Sequence, residues 1–302
     1  MWKGIGRKPT MNTSLDCLPC LFRQTLDAAR RVSDDPAFYE QVVKEVAGWV
    51  QAADLSQPPP VLAQRIHRLL RERTGVVAPY ASAKARDNAL ALSLLPEFQE
   101  RLARASDPLF LAVRLAIAGN LIDLGPKHEL SAEEILSSIR QVENEPFSGD
   151  VESLRNVSAR AKHILYLADN AGEIVFDRLL VERLGASRVT VAVRGAPIIN
   201  DATLADARTA GLCEVAEVIT NGSDAPGTVL PDCSPEFLEH FKTADLVISK
   251  GQGNFETLSS APRDICFLFK VKCPVVAAKA GLPLGTQALL WSRAGEAGKG
   301  SA

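Results

Sequence analysis

From His163 onward the chain is written as short β-branched runs separated by amphipathic stretches. Ile164–Ala168, Arg188–Val193, Glu214–Thr220, Leu246–Lys250 and Cys266–Val271 read as strands. Between them, Glu173–Leu184, Asp201–Ala210 and Pro235–Thr243 read as helices, with a short one after Asn254. Strands joined through helices pair in parallel, and a parallel sheet must bury both faces. The second half is therefore expected to be an α/β layer structure, with its chemistry at the carboxyl ends of the strands.

The first half follows a different period. From Ser14 to Lys162, apolar residues recur at helical spacing, giving expected helices at Asp16–Val32, Pro36–Ala53, Pro60–Thr74, Ala81–Leu94, Asp107–Leu121 and Ser131–Glu143. Proline and glycine clusters at 56–60, 75–79 and 125–126 separate them. The expected division is an extension at 1–13, a helical region at 14–162, an α/β region at 163–290 and a tail at 291–302, the two ends unstructured.

A chain of 302 residues has length enough for a sizeable core. Its net charge of −2 gives no bulk field for nucleic acid or a membrane surface. The apolar run near Leu109–Ala118 is broken by Arg114 and is too short to span a bilayer. The basic N-terminus lacks the apolar segment of a signal peptide. Six cysteines without a secretory feature read as reduced thiols in a cytoplasmic protein. Cys17 and Cys20, one Cys-x-x-Cys pair in helical context, read as buried structural thiols, since a zinc site needs more ligands. Nothing in the sequence signals an oligomeric state.

Three strand ends carry candidate chemistry. The first runs into Asp169-Asn170-Ala-Gly172-Glu173, the second into Asn200-Asp201, the third into Lys250-Gly251-Gln-Gly253-Asn254. Asp169, Asn170 and Asp201 offer hard oxygen ligands for Mg²⁺ or Mn²⁺ and leave positions open; Co²⁺ or Ni²⁺ would also bind. The competing reading is that these residues only cap helices. Gly172 permits a tight turn, and the helix opening at Glu173 aims N–H groups at the same spot, which suits a phosphate. Lys250 is a point charge for a phosphoryl oxygen, with Gly251 and Gly253 letting backbone N–H groups approach. Asp224, in a turn-rich loop, is a candidate for orienting a substrate hydroxyl, although a plain loop is the simpler reading. Asn120 and Asp123 share one face at the end of an apolar helix, either as a cap or as cleft residues. Tyr80, Lys84 and Asn88 form a polar stripe, solvated or lining a cleft.

Taken in order, Cys17-Leu-Pro-Cys20, Gly119-Asn-Leu-Ile-Asp123, Asp169-Asn-Ala-Gly-Glu173, Ile199-Asn-Asp-Ala-Thr203 and Lys250-Gly-Gln-Gly-Asn-Phe-Glu256 resemble the damage-control phosphatases. That metal-dependent family includes 4′-phosphopantetheine phosphatases, and the Cys-x-x-Cys form resembles its prokaryotic branch. The resemblance implies a Rossmann-like α/β domain with an all-helical N-terminal region packed against it and one divalent metal between them. It implies Asp169, Asn170 and Asp201 as metal ligands, and Lys250 on the phosphate. It brings Asn120 and Asp123 to the cleft and Glu173 close by. The implied activity is hydrolysis of a small phosphorylated metabolite, by a metal-bound water or through Asp169 itself; water is favoured because Asp169 is assigned to the metal.

Three other readings compete. A haloacid-dehalogenase-type phosphatase needs a second acid two residues after the first, and that position is Ala171. An S-adenosylmethionine-dependent methyltransferase shares the layout, but the glycine-rich loop after its first strand is missing. A non-catalytic metal- or metabolite-binding redox sensor would depend on Cys17 and Cys20 rather than on Asp201.

Overall fold

The computed structural model describes residues 11–119, 137 and 139–292. Helices α1 (Cys17–Val32), α2 (Pro36–Gln51), α3 (Pro59–Thr74), α4 (Ala81–Arg104) and α5 (Pro108–Ala118) precede a seven-stranded sheet. Then come β1 (Phe147–Ser148), α6 (Val151–Arg160), β2 (Ile164–Leu167), α7 (Glu173–Leu184), β3 (Val189–Val193), α8 (Leu204–Thr209), β4 (Glu217–Thr220), α9 (Pro235–Thr243), β5 (Leu246–Lys250), α10 (Gln252–Leu258), β6 (Ile265–Lys270), α11 (Pro274–Ala280) and β7 (Gln287–Ser292).

The sheet order is β1-β7-β6-β5-β2-β3-β4. All neighbouring pairs are parallel except β6 and β7, so in the expected parallel sheet β7 and the edge strand β1 run opposite to the other five. Neither β7 nor two-residue β1 is legible as a strand in advance. The alternation of side chains sends Ile164 and Tyr166 to one face and Leu165 and Leu167 to the other. Helices α4, α5 and α7 cover the first face, and α9, α10 and α11 the second. Helix α7 is buried nearly all round, Glu173 and Asp177 included, because it lies between the sheet and α4 and α5. Helices α1, α2 and α3 have a smaller core of their own around Leu21, Val42, Ile66 and Leu70.

Several boundaries differ from expectation for physical reasons. Helix α4 runs past Pro96 to Arg104. A mid-helix proline costs a hydrogen bond, but Leu94, Leu95, Phe98 and Leu102 continue the buried stripe through it. The main core is continuous across residue 162, since α4 and α5 pack with the sheet. Residues 11–13 are not a loose extension: Met11 is buried with Leu165 and Leu167, and the Thr13 amide donates to the Leu55 and Gln57 carbonyls. The expected tail starts too early, because β7 reaches Ser292. The helix expected at Ser131–Glu143 falls mostly outside the described residues. No helix among the described residues is long and apolar enough to cross a membrane.

Candidate active site at the switch point of the sheet

Strand β2 has β3 on one side and β5 on the other. The chain leaves β2 toward β3 and β4, then returns to β5 on the far side, which opens a crevice at the carboxyl ends of β2 and β5. Asp169 and Asn170 follow β2, and Lys250 ends β5. The segment after β3 folds back onto them. The Ala202 amide donates to the Asp169 carbonyl (2.7 Å), and the Ala171 amide donates to the Asn200 carbonyl (2.9 Å). Asp201 thereby comes beside Asn170. Asp169, Asn170, Asp201 and Glu173 are all buried.

The amide of Asn170 is fixed. Its Nδ2 donates to Asp169 Oδ2 (2.7 Å) and to Glu173 Oε2 (3.0 Å), so both amide hydrogens are used and Oδ1 is the atom left to accept. Glu173 is held from behind by Lys250, whose Nζ donates to Glu173 Oε1 (2.6 Å), Asp177 Oδ1 (2.6 Å) and the Ala116 carbonyl (2.7 Å). An ammonium has three hydrogens, and here each has a protein acceptor. Burial alone would lower the Lys250 pKa, but the charges of Asp177 and Glu173 hold it above the usual lysine range. The expected contact of Lys250 with a phosphate is not what this geometry provides.

Two of the backbone groups near the expected phosphate are also occupied. The Gly172 amide donates to Asn88 Oδ1 (2.7 Å), and the Gly251 amide to the Leu268 carbonyl (3.0 Å). Gly251 is needed for space: its φ is +78°, and a Cβ there would lie 1.9 Å from Asp169 Oδ2. At Gly253 a Cβ would meet the Pro226 carbonyl oxygen at 2.4 Å. Asp224 lies in a clasp rather than over the crevice. It accepts from Gln64 Nε2 (2.6 Å) and Arg68 Nε (3.0 Å), and pairs with Arg71, tying α3 to the loop after β4. Although burial pushes its pKa up, these bonds and charges hold it below the usual carboxylate range. Asn120 and Asp123 lie outside the described residues. Cys17 opens α1 half-buried and Cys20 is exposed, contrary to the expectation of two buried thiols; the buried stripe of α1 runs through Leu21, Thr25 and Ala28 instead.

One residue of the site has no motif signal. Arg194, at the end of β3, is buried; its Nε donates to Asp201 Oδ2 (2.6 Å), and its Nη2 lies 3.6 Å from Asp169 Oδ1 with no hydrogen-bond partner. A lone arginine before Gly195 reads as a turn residue in sequence. What could have marked it is its place at the end of an otherwise apolar buried strand.

The donor set fits a hard divalent cation. Were all four ionised, Asp169, Glu173, Asp177 and Asp201 would outnumber the two buried cations beside them, Lys250 and Arg194, by two. Burial first, then the charges of Glu173 and Asp201, push the Asp169 pKa well above the carboxylate range; burial also raises Asp201, against the pull of Arg194. Among the described residues no three acidic, histidine or cysteine side chains form a ready-made metal site; two acids are at hand, and Asn170 supplies the third oxygen.

Beside this crevice lies a cleft of about 370 Å³ between α3, α4 and the loop after β3. Tyr80, Lys84 and Asn88 all stand on its wall, the cleft-lining alternative for that stripe. Lys84 pairs with Asp206 (2.7 Å), and Asn88 Nδ2 donates to Asp206 Oδ1 (3.0 Å).

Residues 13–288 match the model of the damage-control phosphatase ARMT1-like domain. An uncharacterized protein of Methanocaldococcus jannaschii is 35% identical over 291 residues, covering 91% of this chain and 94% of that one. A protein of Archaeoglobus fulgidus named damage-control phosphatase is 36% identical over 282 residues, covering 91% and 97%. The crystal structure of a DUF89 family protein from Pyrococcus horikoshii, 30% identical, superposes with a TM-score of 0.85 over 94% of this chain and all of that one. With the family model matched along nearly its whole length and relatives this similar, the chain belongs to the damage-control phosphatase ARMT1-like family.

Proposed function

We propose that this chain is a metal-dependent phosphatase acting on small phosphomonoesters. The observation that carries the reading is the convergence of Asp169, Asn170 and Asp201 at the switch point, beside an arginine nitrogen with no hydrogen-bond partner. The names of the archaeal relatives support it. Asp169, Asn170 and Asp201 would hold Mg²⁺ or Mn²⁺, with Co²⁺ or Ni²⁺ as further candidates. When bound, such an ion polarises a phosphoryl oxygen and offsets the charge that develops on it.

The chain's own residues do the rest. Arg194 Nη2 donates to a non-bridging phosphoryl oxygen, a charge-assisted bond that positions the group for in-line attack. Water forms the new P–O bond as the ester P–O bond breaks, and a proton from that water goes to the departing alkoxide, so the products are inorganic phosphate and the alcohol. Glu173 keeps the Asn170 amide turned so that Oδ1 is the atom left to accept, and Lys250 keeps Glu173 in place. Lys250 is thus a positioning residue, acting through Glu173 on Asn170.

The test is phosphate release from p-nitrophenyl phosphate and a panel of small phosphomonoesters by chelator-stripped protein. Each candidate ion is re-supplied, with Asp201→Asn as control. Turnover restored by an ion, and at least 100-fold lower in the variant, is expected. Folded protein silent with every ion would sink the proposal. A phospho-aspartate trapped on Asp169 would sink the role of water.

A further inference from the structure

The cleft beside the crevice is joined to it through the backbone. Ile198 on its wall accepts the Asp201 amide (3.0 Å), and Asn88 on its wall holds the Gly172 amide. An ester whose phosphorus sits at Asp169 and Asp201 therefore has this space beside it for its organic part. The lining is dominated by Val76, Val77, Pro79, Tyr80, Ile198 and Ile199. The nearby charges are already engaged. Arg71 pairs with Asp224 and donates to the Pro197 carbonyl (2.9 Å), and Lys84 pairs with Asp206. A charged or polyhydroxylated group would leave its polar atoms against this lining without partners, which is costly.

One polar group on the wall is unspent. His67 is 4% exposed, and its Nε2 has no hydrogen-bond partner. Burial, and next the charge of Arg71, push its pKa down to about 4, so the imidazole is neutral near pH 7. A neutral imidazole nitrogen serves as donor or acceptor according to tautomer. The ring meets Tyr80 edge-on, with centroids 6.1 Å apart. The wall is also shaped under strain: Ile199, with φ +40°, is the non-glycine residue with positive φ among the described residues. Such outliers cluster where geometry serves a ligand.

We infer that this cleft receives the organic part of the phosphomonoester, that this part is uncharged and mostly apolar with a hydrogen-bonding edge, and that His67 reads that edge. The inference rests on the phosphatase reading, and its test separates the two. The full chain, supplied with Mn²⁺, is titrated calorimetrically with methylphosphonate, phenylphosphonate and (4-hydroxyphenyl)phosphonate, which cannot be hydrolysed. Phenylphosphonate is expected to bind at least tenfold tighter than methylphosphonate, because the ring leaves water for an apolar wall. Val77→Asp, at an exposed position on the cleft rim, should cut that ratio below threefold. The hydroxyl should add severalfold in the native chain, with the gain lost in His67→Phe and kept in His67→Gln. Equal affinity for the phenyl and methyl compounds, or a ratio unmoved by Val77→Asp, overturns the cleft. A hydroxyl gain that survives His67→Phe overturns the role of His67. Phenyl phosphate hydrolysis is followed alongside. Its absence with the affinity ratio intact refutes the phosphatase reading alone, and turnover without the ratio refutes the cleft alone.

Discussion

Replacing Lys250 by methionine separates a lysine that grips phosphate from one that positions a carboxylate. The substitution keeps the length of the side chain and removes three hydrogen bonds, two of them to the buried carboxylates of Glu173 and Asp177. Removing one partner of a buried ion pair typically costs about 3–5 kcal/mol. Against a typical total of roughly 5–15 kcal/mol, the variant still folds but unfolds at clearly lower urea. The loss must depend on pH. Asp177 is pushed up to about 6 even with Lys250 present, by burial first and by the charge of Glu173, against the pull of Lys250. Without the lysine its folded pKa rises further, so the folded state takes up a proton that the unfolded state does not hold. The penalty therefore shrinks toward pH 5.5 and grows toward pH 8. Urea melts of both proteins at the two pH values should show the difference widening by about 1–2 kcal/mol on going to pH 8, on the order of one pKa step. In kinetics kcat should fall with little change in KM, because Glu173 and Asn170 lose their orientation. A stability loss under about 1 kcal/mol, combined with a rise in KM at constant kcat, would refute the positioning role.

Three further outcomes follow from the same geometry. Gly251→Ala puts a methyl on Asp169 at a backbone angle alanine resists; kcat should drop by two orders of magnitude or more, and retained activity in purified folded protein would contradict the packing. His67 is held neutral with its pKa pushed down to about 4, whereas the unfolded chain takes up that proton near 6.5. Its contribution is thus present at neutral pH and lost as the pH falls through that window, about 2 kcal/mol between pH 7 and 5; His67→Gln should flatten that part of the urea-stability profile, and an unchanged slope would show that the residue is not buried neutral. Asp224→Asn weakens the clasp to Arg68 and Arg71 and should admit limited proteolysis between α3 and α4 at lower denaturant, with a stability loss of about 1–3 kcal/mol; unaltered cleavage would mean the clasp holds nothing.

How far the sequence reveals this molecule depends on whether a feature is local. The strand–helix alternation after His163 and the glycine turns are local, and they lead to the right layers and to Asp169, Asn170 and Asp201 on one edge. Strand β7 is a different matter. Its pairing with β6 is set by a partner outside its own neighbourhood, and Gln287–Ser292 has no alternation to mark it. The role of Lys250 fails for the same reason: a lysine at a strand end looks solvated until Ala116, Glu173 and Asp177 arrive from elsewhere in the chain. Arg194 is silent because its partners are Asp201 and Thr228, and neither contact leaves a periodic trace. The cleft was half legible, since Tyr80, Lys84 and Asn88 share a helix face; its apolar wall comes from Ile198 and Ile199 after β3, which only the folded chain brings opposite.

The continuity of the main core across residue 162 has a consequence for how the chain is made. Helix α5 is buried at every position but Pro108 and Phe110, mostly against α7 and the sheet. During synthesis it leaves the ribosome long before those partners exist. The roughly 150 residues from α5 to the end of β6 take about 8–30 s to translate. For that interval this eleven-residue apolar helix is only partly covered, by α4 and later by α7, with the β6 side of the sheet still missing. The helical half is therefore not a module that folds first and waits. It is the half most in need of a holding chaperone until the second half arrives.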